Sequence, residues 1–211
     1  MAFAERRMGV LVIAMPSALP ENFHHLLDTM KRASARLRED EIEFMLGGGL
    51  AIWARGGPPT DHDVDLYLRE RDAESAYEAL VDAGFRGDRP PEDWLLKVWD
   101  GDHLVDLIFR PAGGRIGDEH FERASELEVS AQRLLVASID DVLAMKLLAI
   151  SEQEPDYRAI LEIARAVREQ VDWTHVEERT SESPFARAFF TMGEGLGIIE
   201  RKTILAPAHT S

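Results

Sequence analysis

The 211-residue sequence contains no cysteine, which excludes a disulfide framework and any metal site built from thiolates. It also lacks any run approaching the ~18 consecutive apolar residues of a membrane-spanning helix. An apolar run over residues 9–15 follows Arg6 and Arg7, but it is short for the apolar region of a signal peptide. We expect a strand or a loose terminus there, in a cytoplasmic protein that does not bind membranes.

Basic residues are fewer than acidic residues, with 24 Lys and Arg against 39 Asp and Glu, which gives a net charge of −15. This balance opposes loose binding to nucleic acid, which depends on neutralising phosphates with Lys and Arg. A local cluster on a predicted helix (Lys31, Arg32, Arg36 and Arg38) is either a basic patch or a solvated helix face. With 45% hydrophobic residues, the chain can bury a full core, as one domain or as a domain with a helical extension.

A glycine turn and a pair of carboxylates are the most informative pattern. Gly47 to Gly49 precede a predicted short helix, and Asp63 and Asp65 follow on a predicted strand, where alternation places both on one face. Glycines let the backbone approach phosphate closely, and carboxylate and phosphate oxygens are the usual Mg²⁺ ligands. The pattern predicts a site for a Mg²⁺-bound nucleoside triphosphate, although each part alone also suits a plain turn or a solvated acidic surface.

A third carboxylate, Asp106, interrupts the apolar run 104–109, which is typical of a strand buried on both faces. Burying an unpaired carboxylate is costly, so Asp106 requires a metal ion, a cation or a water-filled cleft. We expect it beside Asp63 and Asp65 on a neighbouring strand; the alternative is an edge strand with Asp106 in solvent. Lys97, on the preceding predicted strand, is expected to form an exposed cross-strand pair; the alternative is that it contacts the ligand.

Gly48-Gly49, the run Thr60-Asp61-His62-Asp63-Val64-Asp65 and the later Asp106 together resemble the nucleotidyltransferase superfamily typified by DNA polymerase beta. The resemblance covers about residues 22–170. It is greatest to the AbiEii and MenT-type toxin nucleotidyltransferases and to the aminoglycoside and lincosamide nucleotidyltransferases. Two features depart from that pattern: Gly49 stands where many members have serine, and the threonine lies one residue nearer the carboxylates.

The resemblance implies roles for individual residues. Asp63, Asp65 and Asp106 are expected to bind the metal and to be catalytic, whereas Gly48, Gly49 and Thr60 are expected to bind the nucleotide.

Lys146 and Asp156 are two further candidates. Lys146, in the stretch Ala144 to Leu147, matches a lysine beside the triphosphate of the toxin-like enzymes, and is expected to be catalytic and to bind nucleotide. Asp156 matches an acidic active-site residue that opens the next helix. The residues themselves leave simpler alternatives open, since Lys146 can extend to the surface and Asp156 can cap a helix.

Three functions fit this pattern. The first, which the resemblance favours through Lys146 and Asp156, is a Mg²⁺-dependent toxin-like enzyme that transfers a nucleotide from a nucleoside triphosphate to tRNA, with an antitoxin protein as a possible partner. The second is a nucleotidyltransferase that modifies a small hydroxylated molecule, such as an aminoglycoside or a lincosamide. The third is a non-catalytic member of the fold that only binds nucleotide or a partner protein.

The predicted fold class is α+β: a small mixed β-sheet core over residues 1–138 with flanking helices, then a C-terminal helical region over 139–211, with a cleft between them. The expected strands are 41–46, 62–69, 94–99, 104–109 and 134–137, with Asp100-Gly101 as a hairpin turn and an irregular segment over 110–128. The first expected helix begins near residue 20. The others are expected at 50–55, 73–83, 140–152, 156–170 and 184–194. We expect the last ten residues to form a mobile tail.

Overall fold

A computed structural model describes Leu19 and residues 21–60, 62–153 and 155–200 of the chain. The apolar run at 9–15 and the C-terminal tail lie outside these residues. Within them, no helix has the length and apolar character that a membrane span requires.

The described residues form a seven-stranded mixed sheet with helices packed against it, which confirms the predicted α+β class. The strands are β1 (Met45–Leu46), β2 (Asp63–Tyr67), β3 (Arg86–Asp88), β4 (Leu95–Asp100), β5 (His103–Ile108), β6 (Ser125–Val129) and β7 (Gln132–Val136). Their order across the sheet is β3-β4-β5-β2-β1-β7-β6. The helices are α1 (Glu21–Glu39), α2 (Gly48–Ala54), α3 (Glu70–Asp82), α4 (Asp118–Arg123), α5 (Ile139–Ala149), α6 (Tyr157–Val167), α7 (Trp173–Thr180) and α8 (Pro184–Gly195).

The core explains the orientation of β2. Val64 and Leu66 are fully buried, whereas Asp63 and Asp65 alternate with them on the other face and stay partly accessible. Helix α1, whose apolar stripe includes the buried Phe23 and Met30, packs against β2 and β5. The predicted alternation of this strand is therefore confirmed.

Strand pairing then aligns the charged side chains. β2 and β5 are parallel, with Asp65 opposite Asp106, and β4 and β5 are antiparallel, with Lys97 opposite Asp106. Side chains at paired positions project to the same face of a sheet. Because β5 lies between β4 and β2, Asp106 is in the interior of the sheet, and the alternative of an edge strand is wrong.

Two predicted boundaries need correction. The strand expected at 41–46 is reduced to two residues because Glu41 has a left-handed backbone (φ 56°) and Ile42 donates its N–H back to Leu37 O, which closes α1. The hairpin turn is not Asp100-Gly101, since Asp100 pairs with His103 and the turn consists of Gly101 and Asp102.

The sequence analysis also missed several elements. Strand β3 and helix α7 were not expected, and the segment predicted to be irregular over 110–128 contains α4 and β6. The turn between β6 and β7 is Ser130-Ala131, and both residues have positive φ (50° and 64°). Such turns normally carry Asn, Asp or Gly, so the usual hairpin signal is absent.

Helix α5 begins at Ser138, whose hydroxyl accepts the N–H of Asp141, and it is buried along most of its length. It contacts α2, α6, α7 and α8. One continuous hydrophobic cluster includes residues on both sides of position 138, from Leu46 to Phe189. The division into domains at residue 138 stays a prediction.

Candidate active site

Three carboxylates meet on the accessible face of β2 and β5. One oxygen from each of Asp63, Asp65 and Asp106 lies within 4.8 Å of the other two, a spacing that allows a shared metal ion. Asp63 and Asp65 come from alternate positions of one strand, and Asp106 comes from its parallel neighbour. The donor set consists only of oxygen atoms, as Mg²⁺ prefers, so the residues present fit this ion.

The electrostatics of Asp65 are unusual. Burial, and then the nearby Asp63 carboxylate, raise the pKa of Asp65 to about 7, while Lys146 and a hydrogen bond from the Gly49 backbone act in the opposite direction. A carboxyl group in this position holds a proton near neutral pH unless a cation replaces it. The cluster therefore favours a bound cation.

Asp106 has a different partner. Only 7% of Asp106 is exposed, and its Oδ1 accepts a hydrogen bond from Lys97 Nζ at 2.9 Å. Burial raises the pKa of Asp106, and the Lys97 contact partly counteracts that rise. The prediction that Lys97 pairs across strands is confirmed, but the pair is not exposed: the Lys97 side chain is 25% accessible and belongs to the site.

The glycine turn brings backbone against the carboxylates. Gly47 N–H donates to Asp65 O at 2.9 Å, and Gly48 N–H donates to the Tyr67 hydroxyl at 3.2 Å. Gly48 has a positive φ of 49°, and a Cβ on it would overlap Asp65 Oδ2. Only glycine fits both the backbone conformation and this close approach.

Gly49 explains one departure from the family pattern. A Cβ on Gly49 would lie 2.6 Å from Thr60 Cβ, which is too close for an unstrained contact. A serine at position 49 would therefore displace Thr60. In this chain the Thr60 side chain fills the space that a side chain at position 49 would enter.

Lys146 is directed into the site region. It lines a cavity of about 380 Å³ together with Gly49, Thr60 and Arg158, and it also lines a neighbouring cavity with Asp65. Arg158 was not singled out in the sequence, because it lies on α6, far along the chain from the glycine turn. Two cations, the Thr60 hydroxyl, the acidic Glu162 and the amino-terminal turn of α2 thus border one cavity.

Asp156 has a structural role as a helix cap. Its Oδ1 accepts the N–H of Ala159 at 3.2 Å and caps α6, and its side chain is exposed. It also lines a cavity with Lys146, apart from the three carboxylates. An active-site role for Asp156 stays a prediction.

No model of a known protein family matches the chain, and no curated protein sequence matches it. Solved structures are nevertheless similar in fold. The solution structure of the antibiotic-resistance factor ANT(2'')-Ia matches 82% of this chain and 96% of that chain, with a TM-score of 0.60 and 17% identity. The crystal structure of ANT(2'')-Ia in complex with adenylyl-2''-tobramycin matches 79% and 97%, with a TM-score of 0.56 and 17% identity.

A third similar structure is an antigenic nucleotidyltransferase-like protein from Paracoccidioides brasiliensis. It matches 81% of this chain and 88% of that chain, with a TM-score of 0.51 and 19% identity. At these identities the likeness establishes the fold. The chain has the nucleotidyltransferase fold, as the sequence resemblance implied.

Proposed function

We propose that this protein is a Mg²⁺-dependent nucleotidyltransferase that transfers a nucleoside monophosphate from a nucleoside triphosphate to an acceptor hydroxyl. The observation that carries the proposal is the cluster of Asp63, Asp65 and Asp106 beside the glycine turn at Gly48 and Gly49. This reaction requires carboxylates that bind the metal ion, next to glycine backbone that phosphate oxygens can approach closely. The similar folds of nucleotidyltransferases support the same reaction class.

The carboxylates are proposed to hold Mg²⁺. When bound, the ion would neutralise phosphate charge and lower the pKa of the acceptor hydroxyl. Asp63 and Asp65 are placed to hold it from β2, and Asp106 from β5. The energetic cost of three carboxylates within 4.8 Å of one another supports a resident divalent cation.

The remaining residues of the site are suited to the triphosphate. We assign the β- and γ-phosphates to the cavity bordered by Gly49, Thr60, Lys146 and Arg158, because two cations and the glycine backbone border it and outnumber its one acidic residue, Glu162. Lys146 and Arg158 would stabilise the charge that develops on the departing pyrophosphate.

The transfer step is an in-line displacement. The acceptor oxygen forms a bond to the α-phosphorus, the bond from that phosphorus to the bridging oxygen breaks, and pyrophosphate leaves with the electron pair. Asp106 lies on the β4 side of the cluster and takes up the proton of the acceptor hydroxyl, directly or through water.

A small hydroxylated molecule is the acceptor that the observations favour. The net charge of −15 opposes nucleic acid. The basic cluster on α1 is partly neutralised, since Lys31 pairs with Asp28, Arg32 with Asp100 and Arg36 with Asp40. Its fourth member, Arg38, donates to Arg133 O. Transfer to tRNA, a toxin role with an antitoxin partner and a cytoplasmic location remain predictions from the sequence.

The test is transfer of an α-labelled nucleotide. Purified protein is incubated with Mg²⁺ and each nucleoside triphosphate, with aminoglycosides, lincosamides or total tRNA as acceptors. We expect labelled small-molecule product, reduced at least about a thousandfold in Asp63→Asn because the metal site loses a charged ligand. Label on tRNA instead would replace the acceptor and support the toxin-like function. Equal turnover by wild type and Asp63→Asn would overturn the proposal.

A further inference from the structure

A second cavity, of about 470 Å³, opens beside the carboxylates and has a different character. Its walls include the apolar side chains of Trp94, Pro111, Ala112 and Met145, and Asp65 borders it. The cavity with Thr60 and Arg158 shares only Lys146 with it. The site region therefore has two chambers that meet at Lys146: a cationic chamber, bordered by Arg158 and also by Glu162, and an apolar chamber, whose Arg110 is already paired with Glu70 and Asp93.

Trp94 is the main feature of the apolar chamber. It is 39% exposed, one of few large apolar side chains so accessible among the described residues. Its backbone is nevertheless held firmly, because Trp94 O accepts the N–H groups of Phe109 and Arg110, each at 3.1 Å. An exposed aromatic ring that lines a cavity and is carried by a hydrogen-bonded backbone is suited to stacking on a planar ligand.

The two chambers are aligned along β2. Thr60 and His62, which precede the strand, border the cationic chamber; Asp63 and Asp65 follow; Tyr67, at the end of the strand, borders the apolar chamber. At about 3.3 Å per residue, Asp63 and Tyr67 are separated by about 13 Å. A nucleoside triphosphate is an elongated molecule with the same order of parts: an anionic tail, a metal-binding centre and a planar base.

We propose that the apolar chamber binds the nucleoside half of the triphosphate, with the base stacked on Trp94. This inference rests on the proposed function, since it takes the phosphates to lie in the cationic chamber. The ribose then lies between Asp65 and Met145, and the base lies against Trp94, Pro111 and Ala112.

The acceptor molecule is a less suitable occupant. The residues assigned to the acceptor hydroxyl are Asp106, with its partner Lys97, and neither of them lines the apolar chamber. They lie opposite each other on β5 and β4, and the acceptor is taken to approach over this pair. The apolar chamber meets the carboxylates at Asp65, and its walls include residues just before β4 and just after β5.

The test compares a ligand that has a base with one that has none. Binding of each nucleoside triphosphate and of inorganic tripolyphosphate is measured by calorimetry with Mg²⁺ present. Trp94→Leu removes the stacking ring, and Ala112→Trp fills the chamber from an exposed position without removing a contact. Ala83→Trp, at an exposed residue after α3, is the matched control.

We expect Trp94→Leu and Ala112→Trp to weaken nucleoside triphosphate binding by about tenfold or more, in line with the loss of base stacking. Tripolyphosphate binding should stay unchanged in both variants, and Ala83→Trp should match the wild type for every ligand. If both chamber variants bind nucleotide normally, or lose only acceptor affinity, the inference is wrong while the proposed function stands. If the wild type binds no nucleotide with Mg²⁺, the proposed function itself fails.

Discussion

At the scale of single residues, the protonation of Asp65 should control how Mg²⁺ affinity depends on pH. Since burial and Asp63 raise the pKa of Asp65 to about 7, Mg²⁺ has to displace a proton at lower pH. We predict that Mg²⁺ affinity rises with pH by up to about tenfold per unit below pH 7 from this proton, and flattens above it. Calorimetric titration with Mg²⁺ between pH 5.5 and 8 checks this, and an affinity independent of pH over that range would contradict it.

The same group affects stability in the absence of metal. The folded state holds the Asp65 proton more tightly than the unfolded chain, whose Asp groups titrate near pH 4. The unfolded state therefore binds fewer protons between about pH 4 and 7, and the free energy of unfolding should fall as pH rises through that window. In urea unfolding measured with a chelator present, the free energy of unfolding of Asp65→Asn should lack this dependence on pH. An identical pH dependence in both proteins would exclude Asp65 as its source.

Gly48 permits a prediction with a matched control. Gly48 and Gly101 both have positive φ (49° and 61°), so an alanine at either position is strained in the same way. A Cβ on Gly48 overlaps the Asp65 carboxylate, whereas nothing lies within 4 Å of a Cβ on Gly101. We expect Gly48→Ala to lose Mg²⁺ binding and transfer. Gly101→Ala should only lower stability by about 1 kcal/mol and keep its activity. Equal activity losses would show that strain, not the contact with Asp65, is responsible.

At the scale of elements, the β4–β5 hairpin brings a cation to Asp106. Lys97 lowers the pKa of Asp106 against the effect of burial. Removing Lys97 should raise that pKa further, so that Asp106 becomes a competent proton acceptor only at higher pH. We predict that Lys97→Met moves the acidic limb of the kcat/KM profile to higher pH, and that Lys97→Arg largely restores it. A profile unchanged in Lys97→Met would rule out this role.

The elements differ in how far the sequence predicted them. Strand β2 was predictable because its apolar residues alternate, and α5 because it is apolar and has Ser138 as its cap. Strand β6 was not, since the turn Ser130-Ala131 adopts positive φ without the residues that usually signal it. The position of Asp106 followed from one charge in an apolar strand, whereas the contact with Lys97 followed only from the register of the hairpin.

At the scale of the whole molecule, Asp141 joins three helices. The side chain is 2% exposed and accepts hydrogen bonds from Arg123 Nε at 3.0 Å and Nη2 at 2.8 Å, from Ser138 at 2.8 Å and from Arg179. Burial opposes ionisation, but these donors prevail and lower the pKa of Asp141. The network connects α4, α5 and α7 and thereby fixes the helix that carries Lys146.

We predict that Asp141→Asn lowers the free energy of unfolding by about 3 kcal/mol, because it leaves two guanidinium groups without their common carboxylate. Denaturant unfolding at pH 7 measures this. The control Asp82→Asn, at an exposed position at the end of α3, should change stability by less than about 0.5 kcal/mol. Similar values for the two variants would mean that the network contributes no net stability.

The sequence by itself determined the features that depend on local periodicity and on single residues. Alternation placed Asp63 and Asp65 on one face of a strand, and a glycine turn before a helix indicated a close approach of the backbone. Only the tertiary structure decided that Lys97 meets Asp106, that Arg158 and Lys146 border one cavity, and that Trp94 and Met145 border another. The reason is physical: a pattern of neighbouring residues encodes which face a side chain occupies, whereas strand register and helix packing decide which faces meet.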